Sequence, residues 1–197
     1  MKNEMFVAHC HSSQERQSHH SEAMKKNLIT RMNRIEGQIR GIHSLIMKET
    51  YCDDVLTQIS SASSALNSVS KILLEEHMKS CVIERLADGE TEVIEEVIST
   101  VRDLLQSKSA VLPGDEGTLD SHLTTLGERA RKIKELISED TYCNTVLSHI
   151  ASLQSGLQGV SEKLLQQHMK ICLGERLQNN DAEAIRDMMI TVKKLMK

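Results

Sequence analysis

The chain has 197 residues, 39% hydrophobic and 26% charged, with a formal net charge of −4. It holds one Pro, one Phe, two Tyr and no Trp against ten Met. That composition lacks the regular turn residues and the aromatic or β-branched runs of sheet proteins, so β-rich folds are excluded and an all-α fold is expected.

Residues 1–20 show neither hydrophobic periodicity nor the apolar core of a secretion signal, so a mobile tail and a cytoplasmic location are expected. The tail carries His9, Cys10, His11, His19 and His20, a mixture that often binds metal adventitiously. A first helix is predicted over about 22–48. A central helix follows over about 53–87, where Val55, Ile59, Ala62, Leu66, Val69 and Leu73 recur at steps of four and three, the seam of a packed helix. The Ser-rich stretch 60–70 lies on the flanks of that seam. A short helix after Gly89 carries Val93, Ile94, Val97, Ile98, Val101 and Leu104, and Ser107–Gly117, with the lone Pro, reads as a linker. No run of residues reaches the roughly 18 apolar positions of a membrane span.

Beyond the linker the chain repeats itself at an offset of 91. Thr50-Tyr51-Cys52 recurs as Thr141-Tyr142-Cys143, His77-Met78-Lys79 with Cys81 as His168-Met169-Lys170 with Cys172, and Glu84-Arg85-Leu86 as Glu175-Arg176-Leu177. From Thr50 to Leu86, 20 of 37 positions are identical to their partners, where average composition would give about two or three. The seam recurs as Val146, Ile150, Leu153, Leu157, Val160 and Leu164. The expected organisation is a tail (1–20), a three-helix unit (21–106), a linker (107–116) and a second, diverged three-helix unit (117–197).

Five Cys in a reducing compartment point to thiol or metal chemistry rather than disulfides. His77 and Cys81, four apart, project from one helix face. Cys52 lies 25 residues earlier, roughly 37 Å away along a helix, so the three cannot meet on one ion within one copy. They can if the central helices of the two copies pair antiparallel. Cys143 then joins His77 and Cys81, and Cys52 joins His168 and Cys172. Two thiolates and one imidazole suit Cu(I), whereas a tetrahedral Zn(II) site would want a fourth ligand.

Three stretches together resemble the copper-sensing repressor family of the CsoR/RcnR type: Arg31-Met32-Asn33-Arg34-Ile35-Glu36-Gly37-Gln38-Ile39-Arg40-Gly41, Tyr51 to Ile59, and Leu73 to Val82. The second copy matches mainly from Tyr142 onward. The resemblance implies a four-helix-bundle dimer, here a pseudo-dimer of fused copies, that binds operator double-stranded DNA without metal and releases it when loaded. It places metal ligands at Cys52, His77, Cys81, Cys143, His168 and Cys172. It also places supporting hydrogen-bonding groups at Tyr51, Glu96, Tyr142 and Asp187. His20 falls near the additional N-terminal ligand of nickel- and cobalt-sensing relatives, which carry His where this chain has Cys81 and Cys172. The implied metal is Cu(I), with Ni(II), Co(II) or Zn(II) as alternatives.

The basic signature of the first copy is largely missing from the second. Residues 24–48 hold six Lys/Arg and one Glu, net +5, while residues 115–139 hold four Lys/Arg and six Asp/Glu, net −2. Phosphate contacts are therefore assigned to Lys25, Lys26, Arg31, Arg34 and Arg40, with one DNA-competent face per chain and a homodimer of the fused chain to supply two. The rival reading is a copper-binding buffer or adaptor that has lost operator binding. No nucleophile with its base, phosphate loop or carboxylate pair suggests an enzyme, a small-molecule substrate or a membrane partner.

Overall fold

The computed structural model describes Ser18, His20, residues 21–106 and 118–170, and Glu183, Ile185, Arg186, Met189, Ile190 and Val192. Among the described residues there is no strand, and no helix is long and apolar enough to cross a membrane. Helix α1 spans Glu22–Met47. Ser21 caps it by accepting the Met24 amide at 3.2 Å, which satisfies one of the donors a helix start leaves open. Leu28, Met32, Ile35, Ile39 and Ile42 are its buried stripe. Helix α2, Cys52–His77, buries all six residues of the predicted seam.

The predicted central helix does not continue unchanged to residue 87. After His77 the chain makes a π-helical turn, Met78–Val82, before the short α3, Ile83–Ala87. The wider turn brings Cys81 and Val82 inward, 2% and 3% exposed, while Met78 and Lys79 stay outside. Such turns interrupt α-helices mostly at functional sites, and a seam read at fixed period cannot reveal one. The second copy enters the same turn at Met169 and Lys170. Gly89, at φ +86°, closes α3 in a left-handed conformation, and α4 spans Glu92–Gln106.

The second copy supplies α5, Leu119–Ser138, and α6, Cys143–His168. The duplication extends to backbone detail. Glu49 and Asp140, 91 apart, are the non-glycine residues with positive φ among those described, at 53° and 55°. Each is followed by an amide that reaches back into its helix, Thr50 to Leu45 and Thr141 to Leu136, both at 3.0 Å.

Helices α1, α2, α5 and α6 form a four-helix bundle in which α1 and α6 each touch both α2 and α5. Its core joins side chains of both copies. Across the bundle α1 runs antiparallel to α5: His43 meets Asp120 at 2.6 Å, and Glu36 receives Lys134 at 2.5 Å and Arg131 at 3.2 Å. Helix α2 runs antiparallel to α6, with Gln154 donating to Asn67 at 2.7 Å midway. The bundle is thus the antiparallel pseudo-dimer expected from ligand spacing, and α4 of the first copy packs against α6 of the second.

Glu36 is held below the ordinary carboxyl range by the hydrogen bond from Lys134 and, more weakly, by Arg131, against burial. A depressed folded-state value stabilises the fold above the unfolded value of about 4.3, and that contribution is lost as pH falls through the folded value. E36Q should therefore unfold at lower urea than the native chain at pH 7, with the gap closing below about pH 4. Leu66→Ala, an apolar truncation in the buried seam, should cost about 2–5 kcal/mol at either pH. Urea titrations at pH 7 and pH 3.5 check both.

Candidate metal centre

The C-terminal end of α2 meets the N-terminal end of α6 as a consequence of the antiparallel pairing. One donor atom each from His77, Cys81 and Cys143 lies within 4.8 Å of the others, and all three residues are buried. His77 closes α2, Cys81 sits on the π turn, and Cys143 opens α6. Two elements of one copy and one of the other therefore build the site. Nδ1 of His77 is buried with no hydrogen-bond partner, a lone pair that a metal would satisfy. Two sulfurs and an imidazole nitrogen at this separation fit a soft cation.

A further imidazole lies beside one of the three donors, Cys143. His20 is 8% exposed, and its Nε2 lies 3.4 Å from Cys143 Sγ. The expectation of an unstructured tail through residue 20 therefore does not hold at its end. The Ser18 amide donates to the Asp140 carbonyl at 2.7 Å, so the chain just before α1 is tied to the α5–α6 corner. Composition assigns His20 to an adventitious cluster. Its place directly before the helix cap Ser21 is the signal in the sequence that it is positioned.

The two thiols are strongly inequivalent. The hydrogen bond from Cys143, supported by His77 and Ser80, pulls Cys81 well below the usual thiol range despite burial. The same bond, with burial, pushes Cys143 up. A metal binding both sulfurs must displace any proton they carry. Burial lowers His20 from the ordinary imidazole value, partly offset by Glu76, Cys81 and Asp140, so its ring stays neutral and able to ligate near pH 7.

Tyr142, expected to support the ligands, stands edge-on to the His77 ring, with centroids 5.5 Å apart. Its hydroxyl donates to Glu96 at 2.9 Å. At the opposite end of the α2–α6 pair, Cys52 Sγ lies 3.7 Å from the Leu164 carbonyl oxygen. There Tyr51 stands edge-on to His168, with centroids 6.1 Å apart. The structure thus brings Cys52 to the His168 end of α6, while Cys172 and Asp187 lie outside the described residues.

On α1, Lys26, Arg34 and Arg40 are exposed. Arg31 is half-buried, donating to Asn27 at 2.7 Å and Ser68 at 3.4 Å. Lys25 is engaged within the chain: its ammonium is tied to Asp140 at 2.6 Å and Glu22 at 3.2 Å, so it braces the α5–α6 corner. The cations of α5 are engaged too. Arg131 and Lys134 bind Glu36, Lys132 binds Glu135, and Arg129 donates to Ser152.

Comparison with known proteins follows the same two-part division. The model of a family described as metal-sensitive transcriptional repressor matches residues 24–103 and again 124–194. The copper-sensing transcriptional repressor RicR of Mycobacterium tuberculosis is 51% identical over 65 residues, 33% of this chain and 68% of the relative. The copper-sensing transcriptional repressor CsoR of Bacillus subtilis is 34% identical over 98 residues, 49% of this chain and 97% of the relative. A CsoR of Mycobacterium bovis is 31% identical over 81 residues, 41% of this chain and 68% of the relative. No solved structure gives a significant match. With two family matches covering most of its length and the antiparallel bundle between them, the chain belongs to the metal-sensitive transcriptional repressors and carries the family's domain twice.

Proposed function

We propose that the protein is a cytoplasmic, non-enzymatic Cu(I)-responsive repressor that holds operator DNA without metal and releases it on loading. The observation carrying this reading is the buried convergence of His77, Cys81 and Cys143 between the two copies. The copper-sensing relatives favour the same metal. The repressor-like units span 21–106 and 117–197. By the repeat, Cys52, His168 and Cys172 are assigned as the second ligand set, with Tyr51 and Asp187 as the counterparts of Tyr142 and Glu96; Cys172 and Asp187 lie outside the described residues. When bound, Cu(I) supplies a preference for two thiolates and an imidazole. The chain supplies a water-poor pocket and donors from both copies, so metal binding favours one arrangement of those copies over another.

His20 supports a second reading. Four donors, two sulfur and two nitrogen, suit tetrahedral Zn(II) or Co(II), or Ni(II), better than low-coordinate Cu(I). H20A should leave Cu(I) affinity nearly unchanged if copper is the natural ligand, and should weaken Co(II) binding by about tenfold or more if all four donors are used. Co(II) absorption and Cu(I) competition with a chelator of known affinity separate the two. C143A should remove one of two Cu(I) equivalents per chain and C52A the other. Unchanged stoichiometry in both would overturn the shared sites.

DNA contact is assigned to Lys26, Arg31, Arg34 and Arg40, with Lys25 acting mainly as a brace, and a homodimer of the fused chain displays that face twice. R34A should weaken binding to all sequences alike. It should also reduce the slope of log affinity against log salt by about 0.9 for each phosphate that Arg34 neutralises, counted once on each copy of the face. R131A, on a side chain engaged with Glu36, should leave that slope near native. Fluorescence anisotropy across a salt series decides. A chain that binds metal and no DNA under any condition would point instead to a copper buffer.

A further inference from the structure

The repeated Glu-Arg-Leu tripeptide is a sequence feature that the metal and DNA assignments leave unused. Its arginine in the first copy, Arg85, is 4% exposed, and a buried guanidinium persists only with partners. Its Nε donates to Glu90 at 2.8 Å. Nη1 and Nη2 grip Glu96 at 2.7 and 3.4 Å, and Nη1 also reaches the Tyr142 hydroxyl at 3.3 Å.

Glu90 alone would suffice for a staple closing the α3–α4 turn. The remaining contacts run elsewhere. Glu96 belongs to α4, and Tyr142 belongs to the second copy, directly before Cys143 and edge-on to His77. Arg85 itself stands four residues past Cys81, on the helix that leaves the π turn. It therefore holds Tyr142, which adjoins His77 and Cys143, from a position one turn past Cys81, and its shortest ion pair is to the helix that packs across onto α6. Thr100 and Asn144 bond alongside, between the same two helices.

We propose that Arg85 is a positioning residue that couples occupancy of the His77–Cys81–Cys143 site to the placement of α4. Drawing the three donors onto a metal moves the π turn relative to the Tyr142–Cys143 corner. Arg85 spans both and carries Glu96, and with it α4, along. This rests on the metal-centre reading above, and it assigns to this chain a link through an arginine rather than through the ligands' immediate neighbours alone.

The test uses the full chain with Cu(I) as probe, following amide hydrogen exchange over residues 92–106 with and without metal. In the native protein, loading should change exchange there by about fivefold or more, the lower end of ordinary coupling. R85M should keep the native Cu(I) ligand spectrum while the exchange change falls below about twofold, and R85K should restore part of it. E90Q, which removes only the outer pair, should respond as native. If R85M does not fold, E96Q breaks the same link with little change of shape and should likewise abolish the response. Native-like exchange changes in R85M or E96Q would overturn the coupling while leaving the metal centre intact. Failure of the native chain to bind Cu(I) would overturn the metal-centre reading, and this coupling with it.

Discussion

A straight helix with a thiol at one end and an imidazole and thiol at the other cannot close a three-donor site on itself. Its ends stand roughly 37 Å apart. Everything else in the bundle follows from that separation. Helix α2 needs an antiparallel partner of its own length, and α6 is one, with the same 26 residues from Cys to His. Pairing them places α1 beside α5 and brings α4 across onto α6. The donors converge only where two copies are correctly packed, so the pocket reports on the quaternary arrangement by construction.

The α1–α5 contact is held by specific ion pairs. The first helix region is net +5 and its counterpart net −2. The contacts do not simply follow that balance: α5 offers Asp120 to His43, yet it also places two cations around Glu36 of α1. Exposed pairs of this kind contribute little individually, but Glu36 is mostly enclosed, so its two pairs are the ones that matter for docking.

Much of this was legible in the sequence, because helix seams and ligand spacing are periodic and internal repetition is self-evident. All twelve seam positions are buried, and Cys143 joins His77 and Cys81 as the spacing required. The misses have physical reasons. The π turn after His77 comes from local geometry that no hydrophobic period encodes. His20 precedes any periodic segment, so no hydrophobic period places it; the family resemblance marks it, and anchorage through Ser18 and Asp140 sets it beside Cys143. Lys25 reads as part of a basic run, and its pairing with Asp140, 115 residues away in the chain, is not legible there. Arg85 stood in plain view within a repeated tripeptide. Its meaning depended on Glu96 and Tyr142 arriving from two other helices.

Covalent duplication has a genetic consequence. In a symmetric homodimer one codon writes both sides of the axis, and every substitution is made twice. Here positions 36 and 127 are separate codons, and Glu36 stands where its counterpart is Gly127. His20 is likewise encoded once, for the residue 91 positions onward is Val111. Two halves that mutate independently need not stay equivalent, so the two ends of the bundle can diverge in chemistry. A single gene can thereby hold two different ends, where a symmetric pair of identical chains holds two equal ones.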